Sequence, residues 1–336
     1  MFNTKNDTDS GTKVNAQEFS LARINKSGPH TTLQDLGRKG SQHMGFSSGG
    51  AADEHAYRWA NKLLNNTQSA PTIEIIFGPF DITFYQACTI AITGAQTQAT
   101  LNDVSIALWQ TQSIKSGDRL KITSPIAGLI NYLAIKDGFL THTFLGSASV
   151  VVREKTGPNL GVPFSANSLL AYQILNDTKK KVTKNHQTAR SHQIMPSKWI
   201  PNYNEPLTLH IFFNSQYALF SEDAIHTLLT SVFTVDPNSN KMGYKIRGKR
   251  VALLDNKQVS EGIGYGAVQI PPDGHPIILL KDRQTIGGYP KIGAISQRDA
   301  FRLSQRRAGQ SIQFVQGNVQ TERTELLDLL RFFHSI

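Results

Sequence analysis

Short runs of alternating apolar and polar residues, each closed by a turn, recur along almost the whole chain. They fall at 72–77, 81–84, 89–93, 119–123 and 129–136, and again at 207–212, 231–235, 250–254, 267–270 and 276–280. A side-chain period of two marks strands, and many short strands at this spacing predict a barrel or sandwich. The 26 glycines and 14 prolines supply the turns. With 336 residues, 39% of them hydrophobic, the chain can bury a core and make two domains. The expected class is mainly β with a few helices.

Helices are few and locally signalled. Ala56, Trp59, Ala60, Leu63 and Leu64 share one face of a helix over 53–64, with Asp53 and Glu54 suiting its N-terminal dipole. A short helix near 221–229 has Ser221 as its cap, and Ser296 to Asp299 resembles a capping box opening a helix to about Arg307. The C-terminal segment 321–334 is amphipathic, with Leu326, Leu327, Leu330 and Phe333 on one face. Pro271-Pro272-Asp273-Gly274 is a turn, because proline presets φ and glycine tolerates positive φ. The expected organisation is a polar tail at 1–18, a domain at 19–175, a basic linker or insertion at 176–206, and a second domain at 207–336.

The net charge of +10 invites a nucleic-acid reading. Half of that excess sits in 176–201, where Lys179, Lys180, Lys181, Lys184, Arg190 and Lys198 face one acid, Asp177. That segment reads as a solvated basic loop, so nucleic acid is not an expected partner. Cys88 is the single cysteine, which excludes an intramolecular disulfide and a cysteine-rich zinc site and points to the cytoplasm. It opens an apolar strand and reads as a core thiol. The N-terminus has no apolar stretch of the signal-peptide kind, and no run approaches the roughly 18 apolar residues of a membrane span. A soluble protein with no membrane partner is expected.

Three polar stretches can carry chemistry. The first, which reads as a long shaped loop from His30 to Asp53, holds Thr31, Thr32, Gln34, Asp35, Gly37 and Arg38, followed by Ser48, Gly49 and Asp53; Arg38 could clamp an anion, or simply pair with Asp35. The second is Ser239, Asn240, Lys241, Met242, Gly243 and Tyr244, which could bind an anion or an amide, or form a basic hairpin loop. The third presents Gln269 and Asp282 on two strands near Thr285, Gly287, Gly288 and Tyr289; the competing reading is turn chemistry with Tyr289 in the core. Gly262, Gly264 and Gly266 lack the helix and spacing of a dinucleotide site. The ten histidines have no metal-binding spacing, so no metal site is expected. There is no Walker A motif and no biotin-attachment sequence.

Taken in order, these stretches resemble a known family. The matching elements are Gly28-x-x-Thr31-Thr32-x-Gln34-Asp35-x-Gly37-Arg38, Ser48-Gly49-Gly50-Ala51-x-Asp53, Ala60-Asn61-x-Leu63, Ala70-Pro71-x-Ile73-Glu74 and Thr93-Gly94-Ala95. Ser239-Asn240-x-Met242-Gly243-Tyr244, Gly266-x-Val268-Gln269-x-Pro271-x-x-Gly274-x-Pro276-Ile277 and Asp282-x-Gln284-Thr285-x-Gly287-Gly288-Tyr289-Pro290 follow. From about 20 to 316 the chain resembles allophanate hydrolase subunit 2-like proteins, also described as the C-type component of 5-oxoprolinase (KipA/PxpC) and as biotin-dependent carboxyltransferases. Departures include Phe213-Asn214, Asp137-Gly138 and the segment 164–175.

The resemblance implies two cyclophilin-like β-barrel domains. It implies two partners, a B-like protein (KipI/PxpB) and an A-like protein, in a complex that opens 5-oxo-L-proline to L-glutamate with ATP and Mg2+. The expected catalytic residues are Asp35, Arg38 and Asp282. The expected binding residues are Gln34, Ser48, Gly49, Asp53, Ser239, Asn240, Met242, Gly243, Tyr244, Gln269, Thr285, Gly287, Gly288 and Tyr289. The same family includes the carboxyltransferase part of urea carboxylase, which would need a separate biotin carrier here, and KipA-type antagonists of a kinase inhibitor.

Overall fold

The computed structural model describes residues 19–174, 193–254 and 260–334. The polar tail expected at 1–18 and most of the basic segment lie outside the described residues.

The first half opens with β1 (Phe19–Lys26) and β2 (His30–Gln34), then α1 (Glu54–Leu63), β3 (Thr72–Ile76), β4 (Phe80–Phe84) and β5 (Cys88–Gln96). It continues through β6 (Ala99–Leu101), β7 (Val104–Ile106), β8 (Thr111–Ile114), β9 (Arg119–Ile122), β10 (Ala127–Ile135), β11 (Phe139–Leu140) and β12 (Leu169–Gln173). These pair into a seven-stranded sheet, β11-β12-β1-β4-β9-β6-β7, and a five-stranded sheet, β2-β3-β10-β5-β8. The strand period of two sorts the side chains. Ile24, Ile82 and Leu120 of the first sheet meet Ile73, Ile90 and Leu133 of the second in one core. The intervening residues Ala91, Tyr132 and Ala134 face the other way, against Ala56, Trp59, Ala60 and Leu63 of α1. Helix α1 is therefore a third layer on the five-stranded sheet.

The second half comprises β13 (Leu207–Phe213), α2 (Glu222–Thr230), β14 (Val232–Val235), β15 (Gly243–Arg247), β16 (Glu261–Gly262), β17 (Ala267–Gln269) and β18 (Ile277–Leu279). After these come β19 (Ile286–Gly287), β20 (Lys291–Ile295), α3 (Gln297–Leu303), β21 (Ser311–Gln316) and α4 (Val319–His334). Strands β13-β20-β17-β18-β15-β14-β21 form a closed barrel, while β16 and β19 form a separate ribbon. Leu209, Phe233, Ile246, Val268, Ile278 and Phe314 fill the barrel, with Leu228 of α2 and Leu303 of α3 in the same cluster.

The chain is mainly β, as expected. Several local expectations change. Residues 30–34, expected in a loop, form the edge strand β2, whose partner β3 supplies the hydrogen bonds. Residues 243–247, read as a possible hairpin loop, form β15, burying Tyr244 and Ile246 and exposing Lys245 and Arg247. Residues 250–254, expected as a strand, make one isolated bridge, Leu253 to Phe220. The helix begun at Ser296 ends at Leu303. Its Ser296 side chain does cap Asp299 N, but the Asp299 carboxylate accepts from His210 N instead of closing a capping box.

The two halves are sewn together by buried polar contacts. Gln305 Oε1 accepts from Leu129 N and Ile130 N, both at 2.8 Å, while its Nε2 donates to Asp53 Oδ2 at 2.9 Å. Lys281 forms an ion pair with Glu54, which also holds Arg58 at 3.0 Å. Burial pushes the Glu54 carboxyl up, but Lys281 and Arg58 outweigh it and hold it below the usual range. The described part of the segment 193–206 buries Met195 beside α1 and places the Tyr203 hydroxyl 2.9 Å from Asp53 Oδ2. Helix α4 returns to the first half, where Phe333 packs on Trp59.

Candidate functional site

A cavity of about 380 Å³ opens along this seam. The first half lines it with His30, Thr32 and Gln34 on one face of β2, with Ile76, Leu129 and Ile130, and with Val150, Val152 and Arg153. The second half lines it with Ser239, Asn240, Lys241, Met242, Tyr244, Leu280, Asp282 and Ser304.

Local backbone geometry aims the polar groups. Asn240 N donates to Gly243 O at 3.2 Å and Gly243 N to Asn240 O at 3.1 Å, which sets Lys241 and Met242 at the tip of a tight turn. Asn240 Oδ1 fixes the turn by accepting from Met242 N at 2.8 Å. Leu280 N donates to Met242 O and Asp282 N to Lys241 O, each at 2.9 Å, so Lys241 and Asp282 are neighbours across two strand ends. The Lys241 ammonium reaches the first half, 2.8 Å from Glu74 Oε1 and 3.2 Å from Gly50 O. Glu74 is fully buried, and its Oε2 accepts from Tyr132 OH at 2.7 Å and Ala52 N at 2.9 Å.

Two buried acceptors on the cavity wall have no partner among the described residues. Gln34 Nε2 donates to Val150 O and Thr32 Oγ1, both at 2.9 Å, while Gln34 Oε1 is buried without a hydrogen bond among the described residues. Asp282 Oδ1 is likewise buried and unpartnered. Burial raises the Asp282 carboxyl above its ordinary range; Lys241 opposes this, Glu74 and Glu154 add to it, and Arg38 opposes it. Burial works against the Lys241 ammonium, but Asp282 and Glu74 together hold its pKa above the ordinary lysine value. Such an arrangement can accept an N–H, donate to a carbonyl oxygen and shuttle a proton.

The expected residues divide accordingly. Gln34, Ser239, Asn240, Met242, Tyr244 and Asp282 line the cavity. Gly243 closes the turn behind it, and Tyr244 OH donates to Ser304 O at 3.0 Å. Asp35 lies beneath. Its Oδ1 accepts from Gly37 N at 2.7 Å and from Ser147 Oγ and Ser149 Oγ at 2.6 Å, and its Oδ2 from Ala148 N at 2.6 Å. That carboxylate binds a loop together. Gly37 is needed at its φ of +83°, where a Cβ would sit 2.6 Å from Ser48 O.

Arg38 neither pairs with Asp35 by hydrogen bond nor lines the cavity. It is 1% exposed, donates to Ser149 O at 2.5 Å, and lies over the Phe144 ring. Burial lowers its pKa, against the pull of Asp35, Glu154 and Asp282. Ser48 and Gly49 touch the second half at Lys281 O, and Asp53 caps α1 through Ala56 N at 3.1 Å. Burial raises the Asp53 carboxyl, with His55 and the Gln305, Ala56 and Tyr203 hydrogen bonds opposing. Gln269, Thr285, Gly287, Gly288 and Tyr289 gather elsewhere, around the β16–β19 ribbon. There Gln269 Nε2 lies 3.4 Å from Tyr289 O, and Thr285 O accepts from Ile263 N.

Sequence reasoning placed Lys241 in the second polar stretch but left it out of the expected binding residues, and it gave Glu74 no role. Glu74 did carry a signal: an acid within the apolar run Thr72-Ile73-Glu74-Ile75-Ile76 must find a partner when buried. His30 and Arg153 gave none.

The two-part β architecture, with a cavity at the seam of its halves, accords with a carboxyltransferase domain built of two subdomains. The chain belongs to the carboxyltransferase domain family, subdomain A and B, matching it over residues 44–316. It is 31% identical to the C component of 5-oxoprolinase from Haemophilus influenzae over 284 residues, covering 84% of this chain and 87% of that protein. It is 30% identical to the C component of 5-oxoprolinase from Escherichia coli over 318 residues, covering 94% of this chain and 97% of that protein. The crystal structure of Kluyveromyces lactis urea carboxylase superposes with a TM-score of 0.84 at 22% identity, over 95% of this chain and 29% of that one, a likeness of fold.

Proposed function

We propose that this chain is the amide-holding component of a 5-oxoprolinase complex, opening 5-oxo-L-proline to L-glutamate with A-like and B-like (KipI-type) partner proteins. The observation that carries this is the pair of unpartnered buried acceptors, Gln34 Oε1 and Asp282 Oδ1, on one cavity with the Lys241 ammonium. A lactam and the water that attacks it supply what they lack: the lactam meets Gln34 and Lys241, the water meets Asp282. The lactam N–H donates to Gln34 Oε1, and its carbonyl oxygen accepts from Lys241. Asp282 takes a proton from water as the water oxygen bonds to the carbonyl carbon, and Lys241 stabilises the oxyanion. The C–N bond then breaks and Asp282 passes the proton to the ring nitrogen, which leaves as the amine. A carboxyl raised by burial suits both transfers.

In this reading the cavity holds the amide and not a nucleoside triphosphate. Its ammonium is already countered by Glu74 and Asp282, and those carboxylates would repel phosphates. ATP with Mg2+ acts, in this reading, through the complex, at its partner proteins, and no step on this chain passes through it.

A second reading follows from the family's name. A carboxyltransferase acting on urea, or on the ureido ring of biotin held by a separate carrier, also presents a planar N–H and carbonyl to the same groups. A regulatory chain that binds the B-like partner without turnover is the third.

The test is 5-oxo-L-proline hydrolysis by the chain alone and by the chain mixed with its A-like and B-like partners and ATP. Turnover in the full mixture, lost on Asp282→Asn, supports the lactam reading. A stable complex without turnover, together with carboxyl transfer to urea from a biotin carrier, replaces it with the carboxyltransferase reading. A stable complex inactive in both assays replaces it with the regulatory one.

A further inference from the structure

Once an amide is seated in the cavity, one permanent cation on the wall is left over. Lys241 is committed: two of its three N–H directions go to Glu74 Oε1 and Gly50 O, which leaves one for the amide oxygen. Arg153 is different. Its side chain is 43% exposed, and its Nη2 donates to Glu154 Oε1 at 2.8 Å and lies 3.2 Å from Ser47 Oγ. Its other N–H groups have no hydrogen-bond partner among the described residues. Glu154 is itself pinned by Ser47 N at 3.0 Å. One edge of the guanidinium is thereby fixed and the rest of the fork is presented.

The same serine sets where the fork sits. Ser47 Oγ lies 2.7 Å from Arg283 O and 3.3 Å from Asp282 O, so Arg153 stands alongside the strand end that carries Asp282. The cavity lining also includes the apolar Val150, Val152 and Leu280.

We infer that Arg153 is a specificity-determining residue that grips a carboxylate on the ring of the bound amide, so that the cavity selects a carboxylated lactam over a neutral one. A planar fork with free N–H groups matches a carboxylate in two-point geometry, which an ammonium does not. The apolar lining residues suit ring methylenes. Urea has neither feature. This inference rests on the lactam reading above and adds the recognition of the acid group.

The experiment compares 5-oxo-L-proline with 2-pyrrolidinone, the same ring without the carboxylate, in the reconstituted complex. Arg153→Gln is expected to raise KM for 5-oxo-L-proline about 10- to 100-fold with kcat little changed. The weak turnover of 2-pyrrolidinone stays as in the unaltered chain, and Arg153→Lys recovers part of the lost affinity. Thermal melts of both variants check that the exposed substitution leaves the fold intact. An unchanged KM in Arg153→Gln, or an equal loss on both lactams, overturns the inference and leaves the lactam reading standing. An unaltered complex that turns over neither lactam overturns both.

Discussion

Lys241, at the tip of the turn before β15, places its ammonium 2.8 Å from Glu74 Oε1 on β3, joining the two halves by an ion pair on the wall of the cavity. Lys241→Met leaves a fully buried carboxylate without its cation, which costs about 3–5 kcal/mol. Adding Glu74→Gln removes the charge, and the amide oxygen still accepts from Ala52 N and Tyr132 OH. The double variant is expected to regain most of the stability while turnover stays down by about 100-fold or more, because the oxyanion donor is gone. Denaturant melts and turnover in the complex check the two parts. A double variant as unstable as Lys241→Met would show that the pairing does not set the cost.

Asp282 gives a pH signature. Its carboxyl is raised by burial, so the folded state holds the proton more tightly than the unfolded chain does. That preference contributes stability fully present below the unfolded pKa, near about 4, and lost as pH rises through the folded pKa. Asp282→Asn carries no such loss. The variant should therefore gain on the wild type in melts at pH 8, and the gain should shrink toward pH 5. Lys241 opposes the effect, and Glu74 and Glu154 reinforce it. Turnover falls at every pH, by about 100-fold or more. Parallel stability profiles for the two proteins would rule out a raised carboxyl.

Asp35 separates structure from chemistry. Four donors converge on its two oxygens, three of them from the loop Ser147, Ala148 and Ser149. In Asp35→Asn an NH2 group faces at least one of those donors. The expected cost is roughly 2–4 kcal/mol, from buried groups left unpaired. Turnover per folded molecule, measured well below the melting transition, stays within a few-fold of wild type. A loss comparable to that of Asp282→Asn, at unchanged stability, would make Asp35 a reacting group.

The helices and most strands were legible because their signals are local. The spacing in α1, the caps Ser221 and Ser296, and the alternation in β3, β4 and β10 all act within a few residues. Strand β2 was not legible, because His30, Thr32 and Gln34 turn a polar face to the cavity while the strand is held by its neighbour β3. Strand β15 hid behind its exposed Lys245 and Arg247. At the site, the chemistry of Gln34 and Asp282 was visible, but their meeting was not. They are brought together by packing between halves, and no periodicity encodes that. The same reason concealed Arg153, whose surroundings come from Ser47, Glu154 and the Asp282 strand end.

The contacts of α4 rank unequally, which yields a further prediction. Near its start, Arg298 on α3 donates to Glu322 at 3.1 and 2.9 Å, and also pairs with Glu325. The Arg298 side chain is 34% exposed, so water screens the pair, and Arg298→Ala should cost at most about 1 kcal/mol. At the other end Phe333 is 2% exposed, its ring centroid 5.6 Å from that of Trp59 on α1. Of the expected face of this helix, Phe333 is fully buried, Leu326 and Leu330 are half-buried and Leu327 is exposed, so the packing concentrates at the end of the chain. Phe333→Ala should cost about 3–5 kcal/mol, through lost transfer energy and the cavity left against Trp59. Urea melts of the two variants check the order. An Arg298→Ala loss exceeding that of Phe333→Ala would mean that the charge network, rather than the aromatic anchor, fastens α4 to the rest of the chain.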